Sequence, residues 1–144
     1  MAKRNNGKKI LVGGCFDILH YGHIHFLKES KKLGDYLVVA VESDKRIKKL
    51  KGEKRPFHSQ DQRREMLESL SFVDEVIVLN DEMTDEDYFN LVERVRPFVI
   101  AVTSGDPMIE KKKGHAKKVG AKVIEIAKIN IPSTSQIAKL LEID

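Results

Sequence analysis

Two histidines, His20 and His23, sit three positions apart at the end of the run Gly13-Gly14-Cys15-Phe16-Asp17-Ile18-Leu19-His20-Tyr21-Gly22-His23. Imidazoles at this spacing on the first turn of a helix face one spot. Together they can donate hydrogen bonds to one phosphate group. A helix starting near Gly22 adds free N–H groups and a dipole that favour an anion. The glycines let the backbone approach a phosphate closely. The run is neither a G-x-G-x-x-G dinucleotide fingerprint nor a G-x-x-x-x-G-K-[ST] phosphate loop. Spacing alone leaves a second reading open, that both histidines are structural. A metal site is the weaker alternative, since no His-x-x-x-His pair or adjacent acidic ligand stands beside them. His25 points elsewhere and reads as a helix-face residue.

The elements that must hold this run follow from pattern. Lys9 to Phe16 is an expected strand, and Gly22 to Leu33 a helix ended by Gly34. Tyr36 to Val41 is a continuous apolar run that suits a buried parallel strand. Asp44 to about Leu50 is a short helix, followed by a basic loop over 51–58 marked by Gly52 and Pro56. Ser59 can cap a helix reaching about Leu70. Val76 to Leu79 is a third strand. Thr84 with Asp87 resembles a capping arrangement for a helix ending at Arg96, before Pro97. Phe98 to Val102 is a fourth strand, a helix runs from about Pro107 to Val119, and Val123 to Ile126 is a fifth strand. Ser133 can cap a last helix from Thr134 to Leu141. The order β-α-β-α-α-β-α-β-α-β-α predicts an α/β, Rossmann-like three-layer sandwich: a five-stranded parallel sheet with helices on both faces. Such sheets bind ligands beyond the carboxyl ends of their strands. The loops after strands 1, 2, 4 and 5 are therefore where chemistry is expected.

The 144 residues suit one domain, 1–144, with one core. At 41% hydrophobic and 33% charged, the composition is that of a soluble globular chain. No apolar run is long enough to span a bilayer. The basic start, Met1 to Lys9, leads into a strand rather than a long apolar segment, so a cytoplasmic protein with no membrane partner is expected. A single cysteine, Cys15, excludes an intrachain disulfide and a Cys-cluster zinc site. It reads as a small packing residue. The net charge of +4 argues only weakly for nucleic acid. Its distribution says more: Lys45, Arg46, Lys48, Lys49, Lys51, Lys54, Arg55, Arg63 and Arg64 crowd one stretch. That stretch lacks the interleaved aromatics that stack bases, so no nucleic-acid partner is expected. Lys111 to Lys113 with Lys117 and Lys118 read as a solvated helix face.

Gly14-Cys15-Phe16-Asp17-Ile18-Leu19-His20-Tyr21-Gly22-His23 resembles, complete, the G-[TC]-F-D-x-x-H-x-G-H motif of the cytidylyltransferase-like nucleotidyltransferases. The resemblance continues along nearly the whole chain. Leu33 to Val41 is similar to the second strand of glycerol-3-phosphate cytidylyltransferases. Leu50-Lys51-Gly52-Glu53-Lys54-Arg55-Pro56 is more similar to the adenylyltransferase domain of ADP-heptose synthases. Gln62 to Leu67 resembles a segment of both, and of archaeal FAD synthases. Ser133-Thr134-Ser135-Gln136-Ile137 matches the family's S-T-[ST]-x-I signature.

The resemblance implies an enzyme in which an acceptor phosphate oxygen attacks the α-phosphorus of a nucleoside triphosphate and pyrophosphate leaves. It implies catalytic roles for His20, His23, Lys51 and Arg63. It implies nucleotide contacts from Gly14, Cys15, Phe16, Asp17, Gly22, Asp106, Ser133, Thr134 and Ser135. Lys49, Arg55 and Lys128 are implied as further phosphate ligands. Mg²⁺ is the expected companion of the triphosphate, with no protein ligand assigned to it. A homodimer is implied by the habit of the family. The favoured substrates are ATP and a sugar phosphate of the heptose 1-phosphate type. Glycerol 3-phosphate with CTP, and FMN with ATP, are the alternatives. A non-catalytic nucleotide-binding module is the alternative of another class. Two stretches depart from the family. Relatives carry a G-x-D-[WY]-like segment where this chain has Ser104-Gly105-Asp106-Pro107, and Asp106 reads equally as a helix cap. Cytidylyltransferases carry R-T-x-G-I-S-T-[ST] where this chain has Lys128 to Ser135, with Ile131 in place of a glycine. Lys128 supplies the arginine's charge without its forked geometry.

Overall fold

The computed structural model describes residues 7–130 and 134–141. Five strands form one all-parallel sheet: β1 (Lys9–Gly14), β2 (Tyr36–Val41), β3 (Glu75–Val78), β4 (Val99–Thr103) and β5 (Lys122–Ile126). Their order is β3-β2-β1-β4-β5. The chain steps outward from β1 through β2 to β3, then crosses back to β4 and continues to β5. The direction reverses between β1 and β4, and that switch point is where ligands enter such sheets.

Six helices connect and cover the strands: α1 (Tyr21–Lys31), α2 (Asp44–Lys51), α3 (Gln60–Glu68), α4 (Asp85–Val95), α5 (Ile109–Val119) and α6 (Thr134–Leu140). Strand residues alternate between two cores. Ile10, Val12, Leu37, Val39, Val41, Val99 and Ala101 pack with Phe26 and Leu27 of α1 and Leu67 of α3. Leu11, Val38, Ala40, Ile100 and Val102 pack against Leu91, Val92 and Val95 of α4 and Ala116 of α5. The expected three-layer sandwich is therefore the observed one. Period-two alternation feeding two apolar layers is what a sheet buried on both faces requires.

The caps explain where several helices begin. Ser43 and Ser59 accept from Arg46 and Gln62 N–H groups, and Thr84 forms a reciprocal box with Asp87. Gly34 lies against β1: a Cβ there would stand 2.5 Å from the Lys8 carbonyl oxygen, so only glycine admits this approach. One expected boundary fails at the site itself. Strand 1 ends at Gly14, not Phe16. Phe16 has φ 50° and Ile18 φ 55°, left-handed backbone that apolar residues seldom adopt.

The candidate active site over β1

The histidine pair is built into the start of α1. His20 is its N-cap, and its Nδ1 accepts from the Gly22 N–H at 3.0 Å. The Nδ1 of His23 accepts in return from the His20 N–H at 3.3 Å. This is a capping box made of two imidazoles. Both Nδ1 atoms are acceptors, so the neutral rings carry their protons on Nε2. The sequence reading expected the first amides of α1 to hold an anion. The Gly22 N–H is instead taken by the His20 side chain and the His23 N–H by the His20 carbonyl, while each imidazole keeps an Nε2–H donor. The rings stand close, centroids 4.1 Å apart with planes tilted by 31°. Thr134 Oγ1, at the start of α6, lies 3.5 Å from His23 Nε2. Two segments far apart in the chain therefore meet at one nitrogen.

Burial pushes the His23 imidazole down to about 4, helped by His20 and Lys51 and opposed by Asp17. Burial lowers His20 as well. The unliganded pair is neutral at pH 7 and donates hydrogen bonds without a net charge to desolvate. An unfolded histidine takes up a proton near 6.5. The folded state resists that proton, so this contribution is full above about pH 6.5 and declines as pH falls towards 4. Between about pH 7.5 and 4.5 the expected loss from His23 is on the order of 2 kcal/mol. Urea unfolding at both pH values checks this, and a His23→Asn variant is expected to lose correspondingly less.

The loop carrying the histidines is pinned from behind. Asp17 is 1% exposed. Its Oδ2 accepts from Arg55 Nε at 2.8 Å and the Phe57 N–H at 2.7 Å, and its Oδ1 from the His58 N–H at 2.9 Å. Burial pushes this carboxyl up, but the His58 and Phe57 N–H groups and Arg55 outweigh it and hold it below the usual range. Arg63 is fully buried. Its Nε donates to the His58 carbonyl, and one terminal nitrogen donates to the carbonyls of Cys15 and Glu42 at 2.8 Å each. The other donates to Asp44 Oδ1 at 2.7 Å. Carbonyls just past the end of a parallel sheet have lost their ladder partners, and Arg63 of α3 replaces them.

This corrects three expectations. Arg63 and Arg55 do not present their charge to the cleft, because internal acceptors consume it. Asp17 faces Arg55 and the 57–58 amides rather than a nucleotide. Asp106 is also engaged: Oδ1 accepts from the Met108 N–H at 2.8 Å and Oδ2 pairs with Lys112 at 2.6 Å. Asp106 thus closes a turn ahead of α5 rather than capping it, since the N-cap is Met108 and no side chain caps that helix. Phe16 is buried in the core, and its ring stands where a Gly14 Cβ would lie 2.9 Å away.

Lys51 is free of the buried network that holds Arg55 and Arg63. It ends α2, is exposed, and its charge is felt at both His23 and the Cys15 thiol. Lys49 is also exposed, but its charge is felt at Glu82. Lys128 is exposed beyond β5, and Ser135 is half-buried in α6. Ser133, with Ile131 and Pro132, lies outside the described residues. Burial pushes the Cys15 thiol up, against the pull of Lys51. The thiol therefore stays protonated, which agrees with a packing role. Among the described residues no three His, Cys, Asp or Glu side chains converge on a metal position. None of their helices is long and apolar enough to cross a membrane. Sequence reasoning missed Glu42 and Tyr88. Tyr88 Oη lies 2.9 and 3.0 Å from the two carboxylate oxygens of Glu42, just beyond β2.

A parallel sheet with paired imidazole donors and a lysine at its switch-point end defines a phosphate-handling α/β domain. Comparison with known proteins narrows it. The cytidylyltransferase-like profile matches residues 11–139, and this chain belongs to that family of nucleotidyltransferases. It is 40% identical over 97 residues to the bifunctional protein HldE of Campylobacter fetus, covering 67% of this chain and 20% of that one. HldE of Geobacter sulfurreducens shares 35% over 139 residues, 94% of this chain and 27% of that protein. The chain thus spans only a fifth to about a quarter of these HldE relatives. An FAD synthase of Thermococcus sibiricus is 39% identical over 135 residues, 90% of this chain and 88% of the relative. Among solved structures, a lipopolysaccharide core biosynthesis protein of Thermoplasma volcanium superposes with a TM-score of 0.74 at 32% identity. That match covers 87% of this chain and all of the other.

Proposed function

We propose that this chain transfers the adenylyl group of ATP to the phosphate of a small acceptor, a sugar phosphate of the heptose 1-phosphate type, releasing pyrophosphate. An oxygen of the acceptor phosphate attacks the α-phosphorus. The bond from that phosphorus to the bridging oxygen breaks, and the electrons leave with pyrophosphate. No covalent enzyme intermediate is required, and the attacking phosphate is already ionised. The protein's work is then positioning and charge neutralisation.

One observation carries the reading: two adjacent imidazoles, each fixed through its Nδ1 and left with an Nε2–H donor, stand with Thr134 beside His23 Nε2 and with the charge of Lys51 felt at His23. Neutral rigid donors cost little to hold ready and strengthen as charge builds on the phosphates. Mg²⁺ would arrive with the triphosphate and neutralise charge on its phosphates. The likeness of Leu50 to Pro56 to ADP-heptose synthases and the HldE matches support ATP with a sugar phosphate. FMN is the second reading for the acceptor, favoured by the near full-length match to an FAD synthase.

Pyrophosphate release is measured with ATP or CTP, each paired with heptose 1-phosphate, glycerol 3-phosphate or FMN. Release with ATP and heptose 1-phosphate is expected. Release only with FMN moves the acceptor to the second reading, and release only with CTP and glycerol 3-phosphate overturns the choice of nucleotide. No release with any pair, while ATP still binds, overturns these three acceptors in favour of an untested acceptor or a nucleotide-binding module.

A further inference from the structure

An acidic group stands among the cations of this site, and the transfer reading gives it no task. Glu42 follows β2 directly. Its N–H donates to the Gly14 carbonyl at 3.0 Å, and its own carbonyl accepts from Arg63. The backbone is thus fixed on both sides, next to the loop that carries the histidines. The side chain is 14% exposed, so it is sheltered yet reachable. Its charge raises the Cys15 thiol within that loop.

Tyr88 of α4 holds this carboxylate, its hydroxyl near both oxygens. Burial, and then Glu42 itself, push the phenol well above its usual range, so Tyr88 remains a donor. One hydroxyl proton fills one of about four acceptor positions on a carboxylate. Arg46 Nε stands 3.9 Å from Oε2, and it is buried without a hydrogen-bond partner. This guanidinium offsets the charge of Glu42, so a phosphorylated molecule is not repelled. A fixed, partly satisfied carboxylate recognises donors, and a polyol phosphate brings them as hydroxyls.

Topology says which substrate meets it. The leaving end of the triphosphate belongs with His23 and Thr134, and Thr134 follows β5 on the far side of β1 from β2. An in-line displacement brings the nucleophile in opposite the leaving group. That approach lies on the β2 side, over Glu42 and Lys51.

We propose that Glu42, oriented by Tyr88 and balanced by Arg46 at the carboxyl end of β2, reads the hydroxyl groups of the phosphorylated acceptor. The proposal rests on the reading of the chain as a transferase to such an acceptor.

The test is calorimetry on protein saturated with an ATP analogue whose α,β-bridge is methylene. Heptose 1-phosphate, glycerol 3-phosphate and FMN are titrated against propyl phosphate, which carries the phosphate without hydroxyls. Wild-type protein is expected to bind at least one polyol phosphate on the order of tenfold or more tighter than propyl phosphate. Glu42→Gln is expected to cut that preference to about threefold or less, with Tyr88→Phe between the two. Affinity for the ATP analogue should not change in either variant, which also shows that both fold. No preference in the wild type overturns the proposal. So does a preference that survives Glu42→Gln, or a loss of analogue affinity matching the loss of acceptor affinity. Pyrophosphate release separates the two readings. Its absence with the preference intact sinks the proposed transfer to these acceptors and leaves the subsite standing, whereas release without any preference sinks the subsite alone.

Discussion

Replacing His23 with asparagine is expected to leave α1 capped and to remove turnover. The same protein shows why the two effects separate. At the corresponding position of α4, the short side chain of Asp87 reaches back to the Thr84 N–H at 2.9 Å. An asparagine oxygen can therefore take the His20 N–H that His23 Nδ1 now accepts. What it cannot supply is the Nε2–H on the far side of the ring. Loss of one preorganised donor to a charge-developing oxygen costs about 3 kcal/mol or more, a fall of roughly 10²–10³ in kcat. His23→Ala loses the cap as well, adding about 1 kcal/mol of destabilisation. The measurement is steady-state pyrophosphate release alongside urea unfolding at neutral pH. Near-normal turnover in His23→Asn would remove the histidine from the chemistry. A collapse of stability equal to that of His23→Ala would refute the capping argument.

The largest structural effect is expected from Asp17→Ala. It removes the carboxylate that Arg55, 1% exposed, pairs with through Nε and strips the acceptor from the Phe57 and His58 amides. Breaking a buried pair from one side costs about 3–5 kcal/mol. For a chain of this size that is a fall of about 10 °C in Tm. Removing both charges, as Asp17→Ala with Arg55→Met, is expected to recover only part of the loss, because the two amides stay unpaired. Thermal unfolding of the three proteins decides it. A Tm within about 2 °C of wild type for Asp17→Ala would mean that the clamp is not structural.

These expectations show where the sequence is legible. Tyr36 to Val41 has the expected bounds because β2 is buried on both faces, and an unbroken apolar run has few other homes. The caps at Ser59 and Thr84 are local chemistry, resolved within three residues. Phe16 suits a strand by residue type, yet β1 ends before it at Gly14. What excludes it is the left-handed turn, which no apolar side chain advertises. The phosphate role of Arg55 and Arg63 comes from the resemblance of their segments to the family, not from their surroundings. Their acceptors, Asp17 and the Cys15 carbonyl, lie 38 and 48 residues away and become visible only when β1, β2 and α3 are assembled. Glu42 was hidden for the converse reason. An acid after a strand is ordinary until its neighbours prove to be cations and a half-buried tyrosine. The histidine end was the readable part because its spacing and its chemistry coincide in one turn.

The pinning of this loop bears on protein engineering. A designer wishing to graft the motif onto another scaffold would copy Gly14 to His23 and the helix it opens. That graft carries the imidazoles but leaves behind Arg55 and the Arg63 of α3, so nothing opposes relaxation of Phe16 and Ile18 out of their strained backbone. The portable unit is discontinuous: the loop, the segment from Arg55 to His58, and one helix together. Any transplant lacking the last two should yield a binder of loose geometry rather than a catalyst.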